Sequence, residues 1–471
     1  MPKDKLSKLN NIYKSINLGD FYNKDYADYA IYRALQRIPN ILDGFAQTQR
    51  KAIYTCVEKK IEKKINVSDL ASLVKTHTKY HHGMGSIEIA LTNLVPPYNN
   101  QLPLLKEDGT YGCRSEREAS ASRYIETRLQ DYTKILFNQI DNKEFVTDQT
   151  TEGHKIEPQT MIPLLPLLLI NGQSQIGVGY ACDVLPRDIT QLIAEVERIL
   201  KGQKYLHPTD ATKNVAAGVF RTDIPPVAPR FKGPIEMIDG TWIFSGIVKE
   251  VKKNVFHITE VPPKYTRTNF VKLLNTLKDQ DKIKSFSENI VGDDFDIVVK
   301  TNPINKVTQE KALDFFKLVE RKSENITLIN TSNEIVRYSN VAEVLKEYII
   351  AVLGIIGKRK AFILNDLKQK GIENTEKIRF IKAVNDNTLI LKKRKKVEVI
   401  QDLEKMSFVK IENTYDYLLN MSILSLTDEK ITDLEKTIEK HNLEIDTLEK
   451  KKSTQLWLDD ITKIKKELVK I

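Results

Sequence analysis

Apolar residues at Ile431, Leu434, Ile438, Ile445 and Leu448 recur at alternating spacings of three and four, with His441 the one polar occupant of the series. Such a repeat places a narrow apolar stripe along a helix, and a second helix must cover it. A helical run at 341–370, interrupted only by Gly354 and Gly357, precedes it. Shorter helical segments through Lys392-Lys-Arg-Lys-Lys396 and Tyr415-Asp-Tyr-Leu-Leu lie between the two. Two long helices bracketing a small globule predict an antiparallel coiled-coil arm over 336–471, with a head at about 376–427. The basic cluster reads as a localisation signal or, more simply, as a solvated helix face.

The whole chain has 471 residues, room for about two to four domains with their own cores. A formal net charge of +10 favours a polyanionic partner, although the excess is spread over a long chain and also suits a merely basic soluble protein. Cys56, Cys113 and Cys182 form no CxxC pair and no metal-ligand spacing, which fits a reducing compartment. The charged start, Met1-Pro-Lys-Asp-Lys, shows no secretory signal. The most apolar run, 161–170, holds two prolines and is too short to span a bilayer, so it reads as a buried segment. These features predict a soluble cytoplasmic protein with no membrane partner.

Residues 1–24 are polar and read as an N-terminal arm or a frayed helix. In 25–150, Val67, Leu70, Ala71, Leu73 and Val74 follow a helical period, with Ser68 or Asp69 placed to cap. The turn-like Lys79-Tyr-His-His-Gly83 follows, then a second helical pattern at 86–94. Leu102-Pro-Leu-Leu leads into Asp108-Gly109, a hairpin signal, and on to Thr110-Tyr-Gly-Cys. Two helices, a turn and a β-hairpin describe a winged helix–turn–helix, a DNA-docking unit. Residues 151–335 read as one mixed α/β domain. Its strands are expected at Trp242-Ile-Phe, Ile247-Val, Val255-Phe-His-Ile and Asp296-Ile-Val-Val, with a turn at Asp239-Gly240 and a helix at 269–277. The fold class expected is therefore mixed α and β, multidomain.

Four segments need a common explanation. They are Ile38-Pro-Asn-Ile-Leu-Asp-Gly-Phe-Ala-Gln-Thr-Gln-Arg50-Lys51, then Lys79-Tyr80-His81-His82-Gly83, then Arg114 with Glu118-Ala-Ser-Ala-Ser-Arg123-Tyr124-Ile-Glu-Thr-Arg128, and lastly Leu167-Leu-Leu-Ile-Asn-Gly-Gln-Ser-Gln-Ile176-Gly-Val-Gly-Tyr-Ala. Each alone has an ordinary explanation: an exposed helix end, a turn, a packed tyrosine, an anchored loop. In this order and spacing they resemble the DNA breakage–reunion region of type IIA DNA topoisomerases, most closely the phage-encoded subunits, with a eukaryotic flavour in Tyr-His-His-Gly. Ile258-Thr-Glu-Val-Pro-Pro, Tyr417-Leu-Leu-Asn-Met-Ser-Ile-Leu-Ser-Leu-Thr and Leu456-Trp-Leu-Asp-Asp-Ile agree with the same family.

The resemblance implies a winged-helix DNA platform with the catalytic tyrosine (25–150), an α/β tower (151–335) and a coiled coil ending in a helical dimerisation gate (336–471). It implies that Tyr124 attacks a DNA phosphorus and becomes joined to the 5′ end. A free tyrosine has a pKa of about 10, so its proton needs an acceptor or a metal nearby. Charge builds on the phosphoryl oxygens, and fixed cations aimed there lower the barrier. Arg123 is the first candidate clamp and Arg50 the second. His82 is placed to donate to a phosphate or the departing 3′ oxygen, with His81 in support. Arg37, Lys51, Lys79, His81, Arg114 and Ile176 are the expected DNA contacts. Ile176 is either a wedge between base pairs or an apolar anchor for its glycine-flanked loop. The chain departs from the family at Gln36, where many relatives have arginine and where Arg33 or Arg37 would cover the role, and at Ala46-Gln47, where Lys-Pro is usual.

No glycine-rich nucleotide loop and no Glu…Asp-x-Asp cluster is evident. Asp293-Asp294 and Asp459-Asp460 are isolated pairs. The expectation is that no metal is held here, and that Mg²⁺ and ATP are bound by a partner subunit. DNA wrapping and supercoiling are not expected. Double-stranded DNA is the expected substrate, and two copies are expected to pair through the platform and the gate. The alternative from another class is a non-catalytic dimeric winged-helix architectural protein. A stand-alone tyrosine recombinase is disfavoured, because it would need a different order of cations and would have no use for gate arms.

Overall fold

The computed structural model describes residues 17–203, 205–206, 214–215, 224–391, 394–422 and 425–469. Residues 1–16 of the expected arm, and Lys392 and Lys393 of the basic cluster, lie outside them. The chain forms two compact units, one made by residues up to Val352 and from Asp460 onward, the other by Leu353–Asp459. Helices and antiparallel strands both contribute, so the fold is mixed α and β. Among the described residues, no helix is long and apolar enough to cross a membrane.

In the first unit, helices Gln47–Glu58, Val67–His77 and Met84–Leu94 pack on one another. Ala52, Ile53, Cys56, Leu70, Ala71, Val74, Ile87 and Leu91 are fully buried between them, as the 3.6-residue spacing of 67–74 predicts. The cap differs from expectation: Asn66 Oδ1 accepts from Ser68 N, and Ser68 is already inside the helix. Beside these helices lies a three-stranded antiparallel sheet in the order Ile65–Asn66, Glu126–Leu129, Leu105–Asp108.

That sheet corrects the expected hairpin at Asp108-Gly109. Strand Leu105–Asp108 pairs with Glu126–Leu129, Asp108 opposite Glu126, and residues 109–125 form the connection. Tertiary anchors override the local turn signal. Tyr111 Oη donates to Glu126 O at 2.9 Å, and Tyr98 Oη to Tyr111 O at 3.2 Å. Asp239-Gly240 does make the tight hairpin: both residues have positive φ, and Ile238 pairs with Thr241 across them.

A four-stranded antiparallel sheet, in the order Ile247–Lys252, Val255–Glu260, Ile297–Thr301, Ile283–Glu288, contributes a second core in this unit. Phe256, Ile258, Ile297 and Val299 point from it onto Phe270, Leu274 and Phe316, all fully buried. The apolar run 161–170 is interior, with Met161, Ile162, Leu164, Leu165 and residues 167–170 all buried.

In the second unit, the repeat that begins at Ile431 lies on helix Asp428–Lys450. Ile431 and Leu434 are buried against Ile381 and Ile378, and the later seam positions are half-buried while most residues between them are exposed. Lys382 pairs with Glu435, whereas Lys368 pairs with Glu449, so helix Asp428–Lys450 and the facing helix run in opposite directions. That facing helix, Val341–Asn385, continues through Gly354 and Gly357. One glycine costs a helix only about 1 kcal/mol, too little to break a run of this length. A compact cluster of Phe380, Leu389, Leu403, Phe408 and Leu418 joins the end of helix Val341–Asn385 to the segment that follows it in sequence.

Candidate active site

Tyr124 stands at the end of the connection 109–125, just before the central strand Glu126–Leu129. Its side chain is 70% exposed. The next residue, Ile125, is buried and fixes where the chain enters the sheet. The same stretch closes the start of helix Val67–His77, whose first N–H groups have no intrahelical acceptor. Val67 N donates to Ile125 O at 3.0 Å and Ser68 N to Ser122 O at 3.3 Å, while Asn66 Nδ2 donates to Arg123 O at 2.7 Å. The tyrosine backbone is thus held by a helix end and a strand while its side chain stays exposed. Arg123 is exposed, and its guanidinium lies 4.6 Å from the Tyr124 ring centroid. The pair sets a phenolic hydroxyl beside a permanently charged fork.

Lys79, His81 and His82 occupy the turn between helices Val67–His77 and Met84–Leu94. Lys79 takes a positive φ of 49°. Tyr80 Oη and Thr48 Oγ1 are 3.4 Å apart, and the Tyr80 ring meets the His82 ring edge-on at 5.3 Å. His81 and His82 are exposed. His82 and Tyr80, with Arg33, Arg37, Gln47 and Gln175, line a groove of about 470 Å³. The groove therefore gathers Arg37 and His82 of the expected site, and both arginines flanking Gln36. Among the described residues, no hydrogen bond or ion pair joins the Tyr124 side chain to His82 or Arg50.

Three expected phosphate contacts are interior instead. Arg50 is 5% exposed; its Nε donates to Asp43 Oδ2 at 2.6 Å and its Nη2 to Phe45 O at 2.8 Å. Lys51 is 4% exposed; its Nζ donates to Glu157 Oε2 at 2.6 Å and to Thr78 O at 3.0 Å. Arg114 is 2% exposed, bonded to Glu260 and the Val261 carbonyl between the rings of Phe231 and Phe295. The physical reason is the same each time. A buried charge is stable only beside an opposite one, and the partner carboxylate occupies the guanidinium or ammonium that a phosphate would need. In this arrangement the three cations position rather than touch. Lys51 holds the carbonyl of Thr78, immediately before the histidine turn, and Arg114 pins the connection that carries Tyr124.

Burial lowers the Lys51 pKa and raises that of Glu157, each shift being larger than the opposing attraction of the partner. Desolvation therefore dominates this pair. Burial likewise raises the Cys56 and Cys182 thiols to about 12. Among the described residues, no three His, Cys, Asp or Glu side chains gather to hold a metal ion.

Ile176 ends strand Gln173–Ile176, opposite Ala181 of strand Ala181–Val184, and is 82% exposed. The sequence motifs contain Asp43, Tyr80 and Glu260 without assigning them a role, and sequence reasoning missed Glu157 and Asn66. Asp43 carried a signal, since Asp-Gly at a turn often bonds its own backbone; here Oδ1 accepts from Phe45 N at 2.9 Å. Glu260 lay within the family-like Ile258-Thr-Glu-Val-Pro-Pro, and Glu157 carried no signal.

The family model for the A subunits of DNA gyrase and topoisomerase IV matches residues 36–464. The chain is 28% identical over 473 residues to the mitochondrial DNA topoisomerase 2 of Dictyostelium discoideum, covering 97% of this chain and 36% of that protein. It is 28% identical over 501 residues to the DNA topoisomerase 2 of Plasmodium falciparum, covering 97% and 35%. The chain thus spans about a third of the length of these curated relatives. The solved structure of the Plasmodium falciparum topoisomerase II DNA-binding, cleavage and re-ligation domain superposes with a TM-score of 0.83 at 28% identity, over 95% of this chain and 64% of that one.

Proposed function

Because the chain belongs to the family of DNA gyrase and topoisomerase IV A subunits, we propose that it is the DNA cleavage–religation subunit of an ATP-dependent type II DNA topoisomerase. The observation that carries the reading is the exposed Tyr124 with the Arg123 guanidinium beside its ring, held at the end of a central strand. In this reading the Tyr124 oxygen attacks a phosphorus of double-stranded DNA. A tyrosyl 5′-phosphate link forms as the bond to the 3′ oxygen breaks, and the reverse attack reseals the strand. Arg123 stabilises the charge that develops on the phosphoryl oxygens. His82 donates to the phosphate or the departing oxygen, Arg37 meets the backbone in the groove, and Lys79 and His81 meet it from the turn that carries His82. Arg50, Lys51 and Arg114 fix the parts that carry these groups. Ile176 is the wedge that bends the duplex; unstacking a step costs a few kcal/mol, offset by contacts to the bent DNA.

The same reading assigns residues 25–150 to a winged-helix platform, 151–335 to a tower, and 336–471 to a coiled coil with a dimerisation gate. Two copies pair so that each Tyr124 cuts one strand, and the protein works in the cytoplasm. Mg²⁺ and ATP belong to a partner subunit.

The test is covalent trapping. The chain is mixed with an ATPase/metal-binding topoisomerase subunit, Mg²⁺ and labelled duplex, then quenched with detergent. The expected result is protein linked to the 5′ end, absent with Tyr124→Phe and absent without the partner. Tight DNA binding by the assembled enzyme with no adduct would sink the cleavage reading and favour an architectural protein.

A further inference from the structure

The hairpin of strands Gln173–Ile176 and Ala181–Val184 presents Ile176 at its far end. A side chain that parts stacked bases is pushed back by the stack, and an isolated two-stranded hairpin is marginal in water. This hairpin is held on both strands, from two distant parts of the chain. On the first strand, Gln173 Nε2 donates to Gly44 O at 3.0 Å and to Gln49 Oε1 at 2.7 Å. Gln49 Oε1 also accepts from Ala46 N at 3.0 Å, and Gln175 Nε2 donates to Gln173 Oε1 at 3.2 Å. A run of amides therefore ties the strand to the start of helix Gln47–Glu58, the helix that Arg50 locks onto Asp43. On the second strand, Asp183 and Asn325 exchange backbone hydrogen bonds of 2.8 and 3.0 Å. Asn325 Nδ2 donates to Ala181 O at 2.7 Å, on the residue directly opposite Ile176. At the base, Gly172 turns the chain into the hairpin at φ +67°, where a Cβ would come within 2.7 Å of Val184 O.

We propose that Gln173 and Asn325 are positioning residues that brace the Ile176 hairpin from its two sides, so that contact with DNA opens a base step instead of displacing the hairpin. The inference rests on the wedge reading of Ile176. Uncharged amides suit this role because they bond backbone carbonyls without placing a carboxylate next to DNA, and they need no buried counter-ion.

The experiment uses the full chain and a duplex of about 30 base pairs with a dye at each end, so that bending raises energy transfer. A second duplex carries a short central gap, which leaves little stack to open. Gln173→Met and Asn325→Ala are compared with wild type and with Ile176→Ala. The expected result is that both brace variants bind the gapped duplex within about twofold of wild type, yet bind the intact duplex about tenfold more weakly and with lower transfer. A merely structural role would lower the melting temperature and weaken both duplexes alike, and that outcome overturns the proposal. So does wild-type bending of the intact duplex by both variants. If Ile176→Ala bends the intact duplex as wild type does, the wedge reading itself fails, a result distinct from failure of the brace.

Discussion

The cations of the first unit fall into two groups that no residue type separates. Arg50, Lys51, Arg114 and Arg187 are buried against Asp43, Glu157, Glu260 and Glu324. Arg123 and Arg37 are exposed, beside Tyr124 and in the groove with His82. The first group carries its charge at a desolvation cost and gains fixed geometry in return. The second keeps its charge hydrated and free to meet a phosphate. A site that holds a stiff polyanion uses both: interior pairs to set distances, surface charges to make contact.

The sharpest break of this comparison is Arg50→Met set against Arg123→Met. The first leaves Asp43 buried with only the N–H groups of Phe45 and Met161. It should destabilise the protein by about 3–5 kcal/mol, read as a large fall in melting temperature. Arg123→Met should leave stability within about 0.5 kcal/mol while impairing cleavage. Equal melting temperatures for the two variants would show that Arg50 is not held as described.

The Lys51–Glu157 pair gives a smaller and pH-dependent effect. Glu157 has a raised pKa in the folded state, so its contribution is fully present below the unfolded carboxylate value and is lost as pH rises through the folded one. Lys51 has a lowered pKa, so its contribution is present above the unfolded lysine value and lost as pH falls through the folded one. Between those limits both groups are charged and the pair carries a net desolvation cost. Lys51→Met should therefore be destabilising at pH 8 and less so at pH 5, where the orphaned carboxyl takes up a proton. Adding Glu157→Gln should restore most of the loss at pH 8. A double variant no more stable than the single one, in thermal melts at both pH values, would contradict this.

The smallest effect sharpens the same division for thiols. With Cys56 and Cys182 raised to about 12 by burial, their thiolate fraction at pH 8 is on the order of 10⁻⁴. Iodoacetamide on the native protein should mark Cys113, which is half-buried, well ahead of the other two. Peptide mass spectrometry gives the order, and early labelling of Cys56 would mean the packing of helices Gln47–Glu58, Val67–His77 and Met84–Leu94 is looser than described.

Two Asp-Gly pairs show what a sequence signal is worth. Asp239-Gly240 joins strands Ile235–Ile238 and Thr241–Ser245, and because the distant strand Val319–Lys322 takes the other edge of Thr241–Ser245, the pair makes the hairpin its composition predicts. Asp108-Gly109 has the same composition, yet the partner of Leu105–Asp108 is Glu126–Leu129, and the intervening residues carry Tyr124. Local propensity decides a turn only when no distant strand competes for the same edge.

The sequence by itself determined the periodic elements: the seam from Ile431 onward, the helix at 67–77, and the alternating strands of the mixed region. Their information is repeated along a few turns, so no single contact is needed to read it. It also determined the segment around Arg123-Tyr124, where a run of small residues precedes an exposed tyrosine. Only the tertiary structure decided which cations are free. Whether Arg50, Lys51 or Arg114 meets solvent depends on carboxylates 7, 106 and 146 residues away. A side chain carries its charge wherever it goes, but its exposure is set by what the rest of the chain folds against it.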